Sequence, residues 1–302
     1  MDTATGVLLG LACGDALGRP VEFRSPQQIT TEHGTLTEMV GYGTWGQPAG
    51  TITDDTDQAL CIARSLDESR GFDAADIADR FVAWYDSGPF DIGNMTRRSI
   101  QALKQDQAWD EAGRQVWETS PEGSNAGNGS VMRCPPLAVA YRDDPDRLAE
   151  VSRQSSVITH ADPRCTYGCA VLNLTVAGFL RDETNPLANA IEYISGEAPD
   201  ELVSALVPVA DGTELESVST SGYVVDSLQT ALHDALSADS AEDAIVTAVN
   251  RGGDTDTIGA IAGSVAGARF GVQDLPERWL SKIDERDELS RLAERLAELE
   301  GE

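Results

Sequence analysis

Apolar residues recur at three- and four-residue intervals along almost the whole of this 302-residue chain, a spacing that helices packed on helices satisfy. Val7, Leu8, Leu11 and Ala12 make one stripe, and Leu60, Ile62, Ala63 and Leu66 another. Leu228, Ala231, Leu232 and Ala235 form a third, followed by Ile245, Val246 and Val249. Leu289, Leu292, Leu296 and Leu299 close the chain on the same period, over too few heptads to require a coiled coil. Alternating strand patterns are hard to find. The expectation is an all-α fold of about a dozen helices in a single compact multi-helix domain spanning 1–302. Two segments, 38–53 (EMVGYGTWGQPAGTIT) and 119–130 (TSPEGSNAGNGS), read either as linkers or as ordered loops over a site. Residues 197–222 read as a helical hairpin.

Charge narrows the function. Acids number 51 against 22 bases, and only Lys104 and Lys282 are lysines, for a formal net charge of −29. Such a surface repels phosphate, so neither nucleic acid nor an anionic membrane is an expected partner. It is the charge balance expected of a protein adapted to high salt, where screening removes self-repulsion. The N-terminal residues lack the basic segment of a secretion signal, and no stretch of 18 apolar residues occurs. Five scattered cysteines fit reduced thiols, so the expected location is cytoplasmic. His160, Cys165 and Cys169 lack a fourth ligand for zinc and read as a histidine beside buried thiols.

Two acid clusters stand out. TITDDTDQ (51–58) holds Thr53, Asp54, Asp55 and Asp57 ahead of an apolar helix; NRGGDTDT (250–257) holds Asp254, Asp256 and Thr257 ahead of another. Taken singly, each is explained by capping, because Asp and Thr satisfy the free amides of a helix start. Taken together, they hold five aspartates where two caps suffice. If the two helix starts meet, the carboxylates need a cation or large pKa shifts, and hard oxygen ligands point to Mg²⁺, Mn²⁺ or Ca²⁺. Gly259, Gly263 and Gly267 put a glycine face on the second helix, where a neighbouring helix can approach closely.

Three more segments complete the pattern: GDALGRPVEF (14–23), DIGNMTRRSI (91–100), and GNGSVMR (127–133) with ITHADPRCTYG (158–168). With TITDDTDQ and NRGGDTDTIGAIAGSVAGARFG, the chain resembles the ADP-ribosylglycohydrolase family, which includes the dinitrogenase reductase-activating glycohydrolases. The resemblance runs from residue 6 to about residue 271, and TDDT paired with a later GGDTDTIG is its most specific element. It implies an all-α fold with two Mg²⁺ or Mn²⁺ ions in a cleft, held by Thr53, Asp54 and Asp55 on one side and Asp254, Asp256 and Thr257 on the other. It implies release of ADP-ribose from an ADP-ribosylated protein or a small ADP-ribose conjugate. Gly129 and Ser130 would donate to the diphosphate, Asn94 would sit near the ribose, and His160 would orient a loop near the substrate unless it is purely structural. Glu22 and Asp55 are the implied catalytic carboxylates. Some family members instead depend on an acid in the segment where this chain has Asp91 and Asn94. A monomer is expected. An ADP-ribose binder without hydrolysis and a hydrolase of another phosphoribosyl or nucleotide substrate stay open.

The residues also carry plainer readings. Asp15 reads as a local hydrogen-bonding partner. Tyr42 and Trp45 either stack on adenine or anchor their loop. Arg97 and Arg98 read as solvated helix-surface arginines rather than phosphate ligands.

Overall fold

The computed structural model describes residues 2–121, 123–215 and 217–299; Glu122 of the 119–130 segment and Glu216 of the 197–222 segment fall outside them. The described residues form α1 (Asp2–Gly18), α2 (Pro26–His33), α3 (Asp54–Ser69), α4 (Ala74–Asp86), α5 (Asn94–Leu103) and α6 (Trp109–Thr119). The middle of the chain adds α7 (Pro135–Ala140), α8 (Pro145–Val157), α9 (Pro163–Leu180), α10 (Pro186–Ile194) and α11 (Asp200–Ala210). The rest folds as α12 (Val224–Ser237), α13 (Ala241–Asn250), α14 (Thr255–Phe270), α15 (Glu277–Leu280) and α16 (Arg286–Ala297). Sheet pairing among the described residues is limited to isolated bridges, Tyr42 with Gln47 and Gly127 with Tyr223. The fold is all-α, and one hydrophobic core runs from Ala4 on α1 to Leu296 on α16.

Local chemistry starts many of the helices. Ser25, Asp144 and Asp162 each accept a hydrogen bond from a first-turn amide, and each is followed by a proline pre-set for helix. Two expectations change. The extra helices beyond a dozen include pieces too short to show periodicity, such as α7 and α15. The 197–222 stretch contains one helix, α11, followed by non-helical chain among the described residues, so no hairpin forms there.

At the centre lie α1 and α14, apolar on every side and buried along nearly their whole length. Gly6, Gly10, Gly14 and Gly18 recur at four-residue spacing on α1 and face Gly267, Gly263, Gly259 and Thr255 in reverse order, so the two helices run antiparallel with backbones in contact. A methyl group on Gly14 would sit 1.9 Å from the Gly259 carbonyl oxygen, and one on Gly10 would sit 2.1 Å from that of Gly263. This register brings the end of α1 beside the start of α14, where Thr255 Oγ1 donates to the Gly18 carbonyl at 2.8 Å.

Candidate active site

The two acid clusters meet. Thr257 Oγ1 at the start of α14 lies 3.5 Å from Asp55 Oδ2 at the start of α3. What holds α3 there is Asp15 near the end of α1, which bonds Thr53 and Thr56, far along the chain, rather than its own local backbone. Its carboxylate accepts from Thr53 N at 3.0 Å, Thr56 N at 3.2 Å and Thr56 Oγ1 at 2.5 Å. Thr53 Oγ1 accepts from Asp55 N at 3.3 Å. The amides at the start of α3 are therefore capped by Asp15 and Thr53, which leaves the Asp54 and Asp55 carboxylates with no capping duty. Likewise Asp254, the N-cap residue of α14, makes no capping bond; its Oδ2 accepts from Asn128 Nδ2 at 2.7 Å.

Glu22 follows α1 through a short turn and is only 6% exposed. Its loop is stitched to the start of α14: Phe23 N donates to Gly253 O at 2.7 Å, and Gly253 N donates to Arg24 O at 2.9 Å. Gly253 has φ +77, and a side chain there would strike Thr220, so only glycine fits. The 38–53 segment is an ordered loop built on Arg19. That fully buried guanidinium donates to the carbonyls of Tyr42, Gln47, Pro48 and Thr51 at 2.8–3.3 Å. The loop in turn holds Trp45, whose Nε1 donates to Glu22 Oε2 at 2.5 Å. Phe23, 70% exposed, and Phe90 pack their rings against Trp45 at centroid distances of 6.5 and 5.9 Å.

Glu22, Phe23 and Trp45 line a cavity of about 470 Å3 together with Asp54, Asp55, Asp91, Asn94, Asn128, Gly129, His160, Asp254, Asp256 and Thr257. Oxygens of Glu22, Asp91 and Asp256 lie within 4.8 Å of one another. Burial, then the charge of Asp91, pushes the Glu22 carboxyl up to about 8. Burial, then Asp254, raises Asp91 to about 6. Asp54, Asp55 and Asp256 are pushed well above the usual carboxylate range by burial and then by each other and their acidic neighbours. The buried oxygen Asp55 Oδ1 has no hydrogen-bond partner. Oxygen donors crowded at this density, with one of them orphaned, fit a hard divalent cation. A larger groove of about 630 Å3 between α6, α8, α9 and α10 lacks such a set; there Arg153 stacks on Tyr167 and lies 3.6 Å from Glu197.

Of the residues singled out from the sequence, Glu22, Asp54, Asp55, Asn94, Gly129, His160, Asp254, Asp256 and Thr257 line the cavity. Thr53 and Ser130 lie behind its wall, 1% exposed each. The Ser130 hydroxyl lies 2.9 Å from Ser156 Oγ, which itself donates to the His160 carbonyl at 2.8 Å. Asp57 leaves the cluster and accepts from Trp84 Nε1 at 2.9 Å. Its place among the acids is taken by Asp91, from the loop before α5. Asn128 was missed; besides bonding Asp254 it reaches Ser227 Oγ on α12 at 2.9 Å. The glycine-asparagine loop that carries it was the only signal. Arg97 and Arg98 are solvent-exposed, and Arg98 bonds Ser120 Oγ at 2.8 Å. Cys165 Sγ donates to Gly127 O at 3.2 Å, and all five cysteines are buried free thiols, so no zinc site forms around His160. No helix among the described residues is long and apolar enough to cross a membrane.

Comparison with known proteins agrees with this architecture. The family model described as ADP-ribosylglycohydrolase matches residues 1–302. The ADP-ribosyl-[dinitrogen reductase] glycohydrolase of Rhodospirillum rubrum is 36% identical over 293 residues, covering 94% of this chain and 90% of the relative. The ADP-ribosylarginine hydrolase Tri1 of Pseudomonas putida is 34% identical, covering 98% and 78%. A solved structure titled ADP-ribosylglycohydrolase-related protein complex superposes with a TM-score of 0.81 at 32% identity, covering 99% of this chain and 98% of that one. The chain belongs to the ADP-ribosylglycohydrolase family.

Proposed function

We propose that the cavity belongs to a divalent-metal-dependent hydrolase that releases ADP-ribose from an ADP-ribosylated side chain. One observation carries this reading: Glu22, Asp54, Asp55, Asp91, Asp254 and Asp256 converge from separate elements on one cavity, where burial and mutual repulsion demand positive charge. Thr53, Asp54, Asp55, Asp254, Asp256 and Thr257 would hold two Mg²⁺ or Mn²⁺ ions. Such ions supply Lewis acidity and a fixed positive charge against which ribose hydroxyls bind.

The remaining roles fall to this chain's own residues. Gly129 and Ser130, whose amides make no hydrogen bond among the described residues, donate to the diphosphate, and Asn94 sits beside the ribose. Glu22, raised by burial and then by the charge of Asp91, is suited to give up a proton and take it back. As the anomeric carbon–nitrogen bond breaks, its electron pair goes to nitrogen and the Glu22 proton follows. Water adds its oxygen to the anomeric carbon and returns a proton to Glu22. Trp45 holds that carboxyl in place.

Arginine is the favoured linkage. The Pseudomonas relative is named for it. A planar guanidinium also matches the exposed Phe23 ring and the half-buried Trp45 ring beside an acidic wall. Both acid clusters are intact, which favours hydrolysis over simple ADP-ribose binding. The test is a panel of arginine-linked and serine-linked ADP-ribosyl peptides and O-acetyl-ADP-ribose, assayed at high salt for free ADP-ribose. Fastest release from arginine, lost in Glu22→Gln, is the expected result. Release from none of the three overturns the hydrolase reading.

A further inference from the structure

Arg133, 0% exposed and not part of the cavity lining, reaches both the acid cluster and His160 through one relay residue each. Its guanidinium stacks 4.3 Å from the Phe81 ring centre. One nitrogen, Nη1, donates to Gln58 Oε1; the other, Nη2, donates to Thr159 Oγ1 at 2.6 Å. On the far side of each relay, Gln58 Nε2 donates to Asp54 Oδ2 at 3.3 Å, and Thr159 Oγ1 lies 2.7 Å from His160 Nδ1.

A guanidinium has donors and no acceptors. Gln58 must therefore turn its oxygen to Arg133 and its amide hydrogens to Asp54. Thr159 must accept from Arg133, which leaves one hydroxyl proton, and His160 Nδ1 is the only other partner of that oxygen among the described residues. With a hydrogen on Nδ1, the Thr159 proton would have no acceptor at all. We propose that Arg133 is a positioning residue that, through Thr159, locks His160 in the tautomer protonated at Nε2, so that the ring presents a fixed N–H donor to the cavity. His160 Nε2 lies beside Gly127 and Gly129; a methyl group on Gly129 would meet it at 3.1 Å. Burial, then the Arg133 charge, holds the ring neutral, with its pKa near 3, so a single tautomer has meaning at every working pH. The ligand for that donor is an acceptor oxygen of the bound substrate, which rests on reading the cavity as an ADP-ribose site.

The tautomer is measured in the free protein, so it fails or holds separately from the functional reading. The chain has three histidines, and long-range proton–nitrogen correlation spectra of the ¹⁵N-labelled protein resolve each ring. His160 should show an unprotonated Nδ1 and a protonated Nε2. Thr159→Val, nearly isosteric, should produce a mixture or the reverse tautomer, while Thr159→Ser should keep the wild-type pattern. If the site binds ADP-ribose, Thr159→Val should weaken ADP-ribose binding about tenfold by calorimetry, the worth of one such bond. Arg133→Met gives the same shift if it folds, which circular dichroism reports. A protonated Nδ1 in the wild type, or an unchanged pattern in a folded Thr159→Val protein, overturns the proposal.

Discussion

Asp55→Asn separates a carboxylate kept for a cation from one kept for the fold. Asp55 is 1% exposed; its Oδ2 shares Thr53 Oγ1 at 3.2 Å and Thr257 Oγ1 at 3.5 Å, while Oδ1 has no partner. Neighbouring acids and burial both oppose its charge. An amide leaves the same buried atom unpaired but carries no charge for the neighbouring acids to repel, and since one like-charge pair about 4 Å apart is worth about 1–4 kcal/mol, the metal-free protein should be stabilised by roughly 1–3 kcal/mol. At about 2 °C per kcal/mol for a chain of this size, melting in EDTA at pH 8 should rise by roughly 2–6 °C. With Mn²⁺ at a hundred times its Kd, the wild type should gain about 2.7 kcal/mol, and the variant should lose most of that gain. Scanning calorimetry of both proteins with EDTA and with Mn²⁺ gives all four values. An Asp55→Asn protein that melts lower in EDTA and keeps the full Mn²⁺ shift would show that the carboxylate serves the fold and holds no metal.

The same crowding sets a pH dependence in metal-free protein. Asp15, Glu22 and Asp91, raised in the fold to about 7, 8 and 6, bind protons more tightly folded than unfolded, so their contribution is full below about pH 4 and is lost as pH rises to 8; denaturant titrations in EDTA should show stability falling across that window, and a rise would contradict it. Gly10→Ala drives a methyl group into the Gly263 carbonyl and should cost ~3 kcal/mol or more, or prevent folding, whereas Gly71→Ala, with Tyr141 Oη at an ordinary 3.7 Å, should be nearly neutral in the same denaturation assay. With 51 acids against 22 bases, the melting temperature should climb as KCl approaches molar concentration; a flat profile would remove the case for salt adaptation.

The parts of the site written locally were legible in the sequence. Asp-Thr alternation ahead of an apolar helix marks both clusters because capping and metal ligation use the same residues in the same first turn. Their meeting was implied by the family resemblance but not legible in the residues themselves, because it depends on α1, whose glycines at 6, 10, 14 and 18 set the register with α14 and whose Asp15 pins α3. Asp57 and Asp91 trade places for a related reason. At positions 54, 55 and 57 the helix turn points the last carboxylate away, toward Trp84 on α4. Asp91 reaches the cavity from a loop that shows no period at all. The acids of α3 and α14 differ from caps only in what they leave unsatisfied, and that difference exists only in three dimensions. The helix count ran low where helices are a turn or two long, too short for apolar spacing to repeat.

If these carboxylates hold the ions on which ADP-ribose release depends, activity and bound metal must rise together. The most direct measurement is titration of metal-stripped protein with Mn²⁺ at high salt, following free ADP-ribose from an arginine-linked ADP-ribosyl peptide alongside bound metal. Stripped protein should release nothing, and the rate should rise to saturation as two ions bind per chain. Undiminished release from fully stripped protein, or saturating metal without release from any linkage, would contradict it.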